Sequence, residues 1–297
     1  MTKMNQMTIR HSVSVLCILV FAAIAGAQTH DAQAYFSYVK NITEAADNKA
    51  RGEAILAELR KLKIRVSTEG FSDKNRRGER IEGLNIIAEV INPDAKKMVM
   101  IGAHLDRVGV GTGAIDNASG SAAVISLLKA FRERPLKNIR LQGAFWDQEE
   151  QGLVGSRIYV QNRKEKGLPQ IYINFDVFGA GDTLWLWSAD ENLEFVKNFK
   201  AEAARMKAAQ FVSKDYPASD HRSFIVDGVQ SYSFSLGPAG EAANIVKVLT
   251  GQEIKPENFP AVLRTIHTEN DTIDAVDAKA VARALAVVEA AIRTLDK

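Results

Sequence analysis

The sequence predicts an α/β protein of three layers (α/β/α), with a mixed, mostly parallel central sheet covered by helices on both faces. Three observations predict it. From Leu84 onward, short continuous apolar runs alternate with stretches of helical spacing, as in strands buried on both faces and joined by crossover helices. The 297 residues are 46% hydrophobic and 25% charged, enough apolar material for a sizeable core. No repeat, Pro-rich linker or compositional break follows residue 28, so residues 28–297 read as one domain.

The first residues are of another kind. Lys3, Arg10 and His11 precede an apolar run from Val13 to Ala25, and Ala25-Gly26-Ala27 supplies the small residues a signal peptidase reads. Residues 1–27 are therefore expected to be a cleavable export signal, cut before Gln28, with the protein periplasmic or extracellular. The run is shorter than the ~20 apolar residues of a spanning helix, so no stable membrane insertion is expected after cleavage. Ser14-Val15-Leu16 before Cys17 lacks the small residue that lipidation needs. Cys17 is the single cysteine and would leave with the signal, so the remainder must fold without disulfides and hold any metal through nitrogen and oxygen.

The elements follow in order. Residues Ala32 to Leu62 read as helix, with Ile55, Leu56, Leu59 and Leu62 at helical spacing. The polar, basic segment Phe71 to Gly83 (FSDKNRRGERIEG) reads as a solvated loop. LNIIAEVI and KKMVMIGAHLD read as strands, Ser119 to Glu133 as a helix, NIRLQGAFWD as a strand, Leu153 to Arg163 as a helix and QIYINFDVFG as a strand. Further expectations are a strand at TLWLWSA, a helix from Asn192 to Ala209, a strand from Gln230 to Leu236, a helix from Glu241 to Leu249 and a closing amphipathic helix from Asp274 to Leu295.

Charge narrows the function. There are 38 Lys and Arg against 36 Asp and Glu, and Lys3 and Arg10 fall within the expected signal, so the remainder is balanced. That excludes a general polyanion binder, and no nucleic-acid partner is expected.

In open α/β sheets ligands bind beyond the carboxyl ends of the strands. Here those positions carry His104 and Asp106, then Asp147, Glu149 and Glu150, then Asp176, with Asp116 in the turn GAIDNASG just ahead of a helix. Taken singly, DNAS reads as a helix N-cap, Glu-Glu as a solvated loop and a lone His as a core residue. Taken together, carboxylates on one rim would repel one another and resist desolvation unless cations joined them. Carboxylates and imidazoles without thiolates suit zinc, manganese or cobalt.

The series HLD (104–106), GAIDNASG (113–120), EE (149–150) followed by GLVGS, NFDVFG (174–179), SDH (219–221) and HTENDT (267–272) resembles the exported zinc aminopeptidases of the bacterial leucyl aminopeptidase type. Their wider family includes glutaminyl cyclases and glutamate carboxypeptidases. The resemblance runs from Leu84 to Thr272; nothing before Leu84 matches a motif. It implies the zinc-dependent exopeptidase fold and a metallo-aminopeptidase acting on peptide or aminoacyl substrates. It implies two zinc ions, with manganese or cobalt as substitutes, held by His104 and Asp176 on one side, Glu150 and His267 on the other, and Asp116 between. Glu149 would be the general base that activates a metal-bridging water, and Tyr216 a donor to the oxyanion. Asp106, in the His-x-Asp pattern, could fix the His104 tautomer. His221 stays outside the ligand set. The residues alone do not choose between Glu149 and Glu150 as base. The alternatives are a cyclase-type acyltransferase with one zinc, a carboxypeptidase-like activity, and a binding protein on a decayed peptidase fold. Side-chain preference and oligomeric state are not legible.

Overall fold

Strand parity decides which side of the sheet each residue meets. The structure, a computed structural model, describes residues 30–90 and 94–297. The expected export signal and Cys17 lie outside them. Among the described residues one sheet contains β1 (Arg65–Lys74), β2 (Arg80–Val90), β3 (Lys97–His104), β4 (Ile139–Trp146), β5 (Ile171–Phe175), β6 (Thr183–Ser188), β7 (Ala209–Ser213) and β8 (Gln230–Gly237). Their spatial order is β1-β2-β4-β3-β5-β8-β6-β7. Pairs β4-β3, β3-β5, β5-β8 and β6-β7 are parallel, and β1-β2, β2-β4 and β8-β6 antiparallel, which is the mixed, mostly parallel sheet expected.

Alternate residues of each central strand feed opposite cores. Val99, Ile101 and Ala103 of β3, Leu141 and Phe145 of β4, and Ile173 and Phe175 of β5 join one core. On this face lie α1 (Ala32–Thr43), α2 (Asn48–Lys61), α3 (Ser119–Glu133), α5 (Glu194–Arg205) and α8 (Ala278–Arg293). The residues between them, Met100, Ala144, Trp146 and Tyr172, meet Tyr159 and Val160 of α4 (Val154–Arg163) and Phe224 of α6 (His221–Ile225) on the other face. Tyr172 and Phe224 stack there with ring centroids 3.9 Å apart. Farther along, Trp185 of β6 packs on Ala242 and Ile245 of α7 (Glu241–Leu249). Each fully buried Leu, Ile or Phe contributes roughly 1.5–3 kcal/mol, which makes these two interlayer cores the main source of stability. No helix among the described residues is long and apolar enough to cross a membrane.

Three expectations need correction. The helix expected from Ala32 to Leu62 is two helices, because Asp47 adopts an extended conformation and its side chain accepts the Ala50 amide, capping α2 afresh. The segment read as a loop, Phe71 to Gly83, is the outer part of the β1–β2 hairpin, paired from Phe71↔Gly83 to Lys74↔Arg80. From Thr68 to Lys74 the residues alternate between exposed and half-buried, but the half-buried positions include the charged Glu69 and Asp73, so the strand never shows the apolar alternation that usually marks a covered face. Cross-links to α4 hold it instead, Arg157 to Asp73 at 2.8 Å and Arg163 to Glu69. The helix expected to reach Ala209 stops at Arg205, and β7 and the one-turn α6 are additions too short to show a period.

Candidate metal centre

β3, β4 and β5 are parallel neighbours, so their carboxyl ends reach one edge together. His104 is the last residue of β3 and lies in register with Trp146, the last of β4. Asp176 follows Phe175 of β5, and Glu149 and Glu150 occupy the turn between β4 and α4. Asp116 comes from the irregular turn before α3. Gly113 begins that turn at φ +60°, and the Asp271 carboxylate receives the amides of Ile115 at 2.6 Å and Asp116 at 3.2 Å. Asn117 donates to the Phe175 carbonyl at 3.0 Å, tying the turn to the end of β5.

These elements enclose a cleft of about 330 Å³ whose walls include His104, Asp116, Glu149, Glu150, Asp176 and His267. Asp116 stands at its centre. Its Oδ1 lies 3.1 Å from His104 Nε2, which is itself 3.4 Å from Asp176 Oδ1. Its Oδ2 lies 3.2 Å from His267 Nε2, which is 3.2 Å from Glu150 Oε1. Two ligands of one tetrahedral zinc, each about 2.0–2.1 Å from the ion, sit about 3.3 Å apart. All four separations match that value. His104, Asp116 and Glu150 offer donor atoms within 4.8 Å of one another, and Asp176 Oδ1 is buried without a hydrogen bond.

The electrostatics ask for positive charge. Burial disfavours the His104 imidazolium, but Glu149, Asp106, Asp116 and Asp176 outweigh it and raise the group well above its ordinary range. Hydrogen bonds to Asp116 and Glu150 lift half-exposed His267 to about 10. Burial also pushes Glu149 upward, helped by the charges of Asp220, Asp176 and Asp106 and opposed by His104. With N and O donors and no thiolate among the described residues, the residues fit a borderline cation such as zinc.

Asp106 does more than the sequence reading gave it. Its backbone carbonyl lies 3.2 Å from His104 Nδ1 and its carboxylate 3.5 Å. The two carboxylate oxygens receive the amides of Glu149, at 3.0 Å, and Glu150, at 3.1 Å. One buried residue thus meets the imidazole through its carbonyl and braces the acidic turn opposite through its carboxylate. Asp106→Ala should weaken the affinity of the cluster for zinc about 10- to 100-fold, the usual loss when a group orienting metal ligands is removed. Zinc titration of the two proteins checks this, and an affinity within twofold of the parent would dismiss the bracing role.

Tyr216 is buried at the cleft wall against Trp185, with its hydroxyl on Ser235 Oγ, and burial together with Asp176 pushes the phenol up. His221 faces Trp187 at 4.6 Å between centroids, burial takes it down to about 3, and it touches none of the five clustered donors among the contacts above. Asp147 turns out of the rim and accepts the Leu84 and Gln148 amides.

Three residues do more than the sequence reading gave them, two of them inside motifs it singled out. Asp271, inside the HTENDT segment, holds the Asp116 turn. Asp220 is fully buried beside Glu149, where burial raises it to about 7. Arg51 lies on the buried face of α2 and donates to the carbonyls of Leu105 at 2.6 Å, Thr112 at 2.9 Å and Gly113 at 3.1 Å, fastening both loops that carry the site. Its only sequence signal was an arginine in line with Ile55 and Leu59.

Comparison with known proteins adds to this geometry. Residues 85–292 match the model of peptidase family M28. An aminopeptidase of Pseudomonas aeruginosa is 41% identical over 105 residues, 34% of this chain and 19% of that protein. The chain spans about a fifth of the length of the first curated relatives it matches. Among solved structures, a zinc aminopeptidase from Bacillus subtilis superposes with a TM-score of 0.71 at 15% identity, covering 90% of this chain and 95% of that one. Porphyromonas gingivalis glutaminyl cyclase does so with a TM-score of 0.72 at 19% identity, covering 90% and 98%. At these identities the superpositions establish a shared fold.

Proposed function

This chain belongs to peptidase family M28, and from that premise we propose that it is an exported dizinc aminopeptidase that removes the N-terminal residue of peptides. The carrying observation is the placement of Asp116, one oxygen toward His104 and the other toward His267, which divides the donors into two sets sharing one carboxylate. His104, Asp116 and Asp176 would hold one zinc, and Asp116, Glu150 and His267 the other, with manganese or cobalt as substitutes. Bound there, the ions supply Lewis-acid polarisation of the scissile carbonyl and a lowered pKa for water.

The chain's own residues do the rest. Glu149 lines the cleft beside Glu150 without being needed as a ligand. Its carboxylate accepts a proton from the attacking water and passes it to the leaving nitrogen. Tyr216 carries its proton, as any phenol does near neutral pH, and donates it to Ser235 Oγ, which in turn donates to the Asp176 carbonyl; a turn of the hydroxyl away from Ser235 would bring that proton to the carbonyl oxygen as negative charge develops. The acidic walls favour a free α-ammonium, which restricts cleavage to the chain end. Export, with cleavage before Gln28, rests on the apolar run and Ala25-Gly26-Ala27.

Purified protein should hydrolyse leucyl-p-nitroanilide, leave its N-acetyl analogue intact, lose activity to a chelator and carry about two metal ions per chain. Chelator-insensitive turnover, or equal cleavage of both substrates, defeats the aminopeptidase reading. One ion per chain with cyclisation of N-terminal glutamine would favour the acyltransferase.

A further inference from the structure

The ribbon that the sequence presented as a loop ends beside the metal centre. Its turn is built rather than loose. Asn75 is buried, its Oδ1 receives the amides of Arg77 at 3.0 Å and Glu79 at 2.9 Å, and its Nδ2 donates to Glu79 and to Gln151 Oε1. Gly78 takes the left-handed φ of +80° that completes the turn. The Arg76 amide donates to the Gln151 carbonyl at 3.2 Å, docking the tip on the turn that carries Glu149 and Glu150.

This docking sends the Arg76 side chain across Gly152, where even a methyl group would sit 2.7 Å from Arg76 Cγ, and into the wall of the catalytic cleft. Arg76 is the only Lys or Arg among the residues lining that cleft. Its neighbour Arg77 is paired with Glu79 at 3.1 Å, and the ribbon's Asp73 is paired with Arg157. The Arg76 guanidinium has no ion pair or hydrogen bond among the described residues, although carboxylates line the same cleft. Five donors in a rigid fork are thus held ready for an acceptor that arrives from outside.

The cleft also has a direction. Val177, Pro217, Ser235 and Ile266 are shared with an adjoining apolar chamber lined by Trp185, Ile245 and Leu263. Arg76 is not on that wall. An apolar first side chain fits the chamber, and the part of the substrate beyond the scissile bond then runs toward the ribbon.

We propose that Arg76 binds a free carboxylate on the leaving-group side of the scissile bond, making short peptides with an unblocked C-terminus the preferred substrates. This rests on the aminopeptidase reading. The carboxylate could belong to a C-terminus or to an acidic side chain, and both present the same planar pair of oxygens to the guanidinium.

The test compares Leu-Gly, Leu-Gly-amide and Leu-Asp-amide on the metal-loaded full chain. The parent protein should show kcat/KM at least about tenfold higher for Leu-Gly than for Leu-Gly-amide, carried by KM, as expected for one charge-assisted bidentate contact. Arg76→Gln should bring that ratio to within about twofold, and Arg76→Lys should restore only part of it, because an ammonium lacks the fork. With that ratio in hand, Leu-Asp-amide cleaved no better than Leu-Gly-amide confines the acceptor to a C-terminus, whereas Leu-Asp-amide cleaved as well as Leu-Gly shows that an acidic side chain serves equally and overturns the preference for an unblocked C-terminus. Thermal midpoints of the variants separate lost binding from lost folding. A parent ratio near one, or a ratio that survives in a folded Arg76→Gln variant, overturns the assignment to Arg76 while leaving the aminopeptidase reading intact. Failure of the parent to cleave any of the three overturns both.

Discussion

Glu149→Gln should lower kcat by about three orders of magnitude, within the range that positioned proton transfer supplies. Gln has nearly the same size, and its backbone amide can still donate to Asp106 Oδ1, so the turn keeps its shape. What disappears is the group that accepts a proton and gives it back. Metal content measured on the same preparation should match the parent, because the five clustered donors are untouched. A kcat within tenfold of the parent, at full metal content, would remove Glu149 from the chemistry and return the choice to Glu150, whose Oε1 already faces His267.

The largest effect on stability is expected at Arg51, far from any motif. The side chain is fully buried, and burial lowers its pKa to about 10, with Asp106 opposing that shift. Arg51→Met fills much of the same space but leaves the carbonyls of Leu105, Thr112 and Gly113 without their donors. Losing charge-assisted bonds to buried acceptors costs about 3 kcal/mol or more. For a chain of this size that corresponds to a fall in Tm of about 6 °C or more by calorimetry. A midpoint within about 2 °C of the parent would show that the loops hold without the guanidinium.

The two sites illustrate what a sequence exposes and what it hides. His104, Asp116, Glu149, Glu150 and Asp176 were legible because each follows an apolar run or opens a helix, and in a parallel sheet those positions share an edge. The same logic brought in Asp147, which the fold turns away to cap Leu84 and Gln148. That both amides of the Glu-Glu turn end on Asp106 could not be read, because residues 106 and 149 become neighbours only when β3 and β4 align. Arg51 was hidden by helical spacing that looks the same whether the outlier on an apolar face is buried or solvated. The β1–β2 ribbon was hidden because its half-buried side faces α4 with charged residues such as Glu69 and Asp73, which leaves no hydrophobic period to count.

The position of β8 bears on how the molecule comes to exist. It is the last strand in the chain, yet it lies between β5 and β6, pairing with both. As the polypeptide folds, the group β1 to β5 and the pair β6 and β7 each keep an unpaired inner edge until residues 230–237 are placed between them. Unpaired edges invite pairing with other chains, and contacts this distant in sequence form slowly. Activity regained during dilution from denaturant should therefore trail the recovery of helical signal, since His267 lies beyond β8 and joins Asp116 only after the two halves have been sewn together.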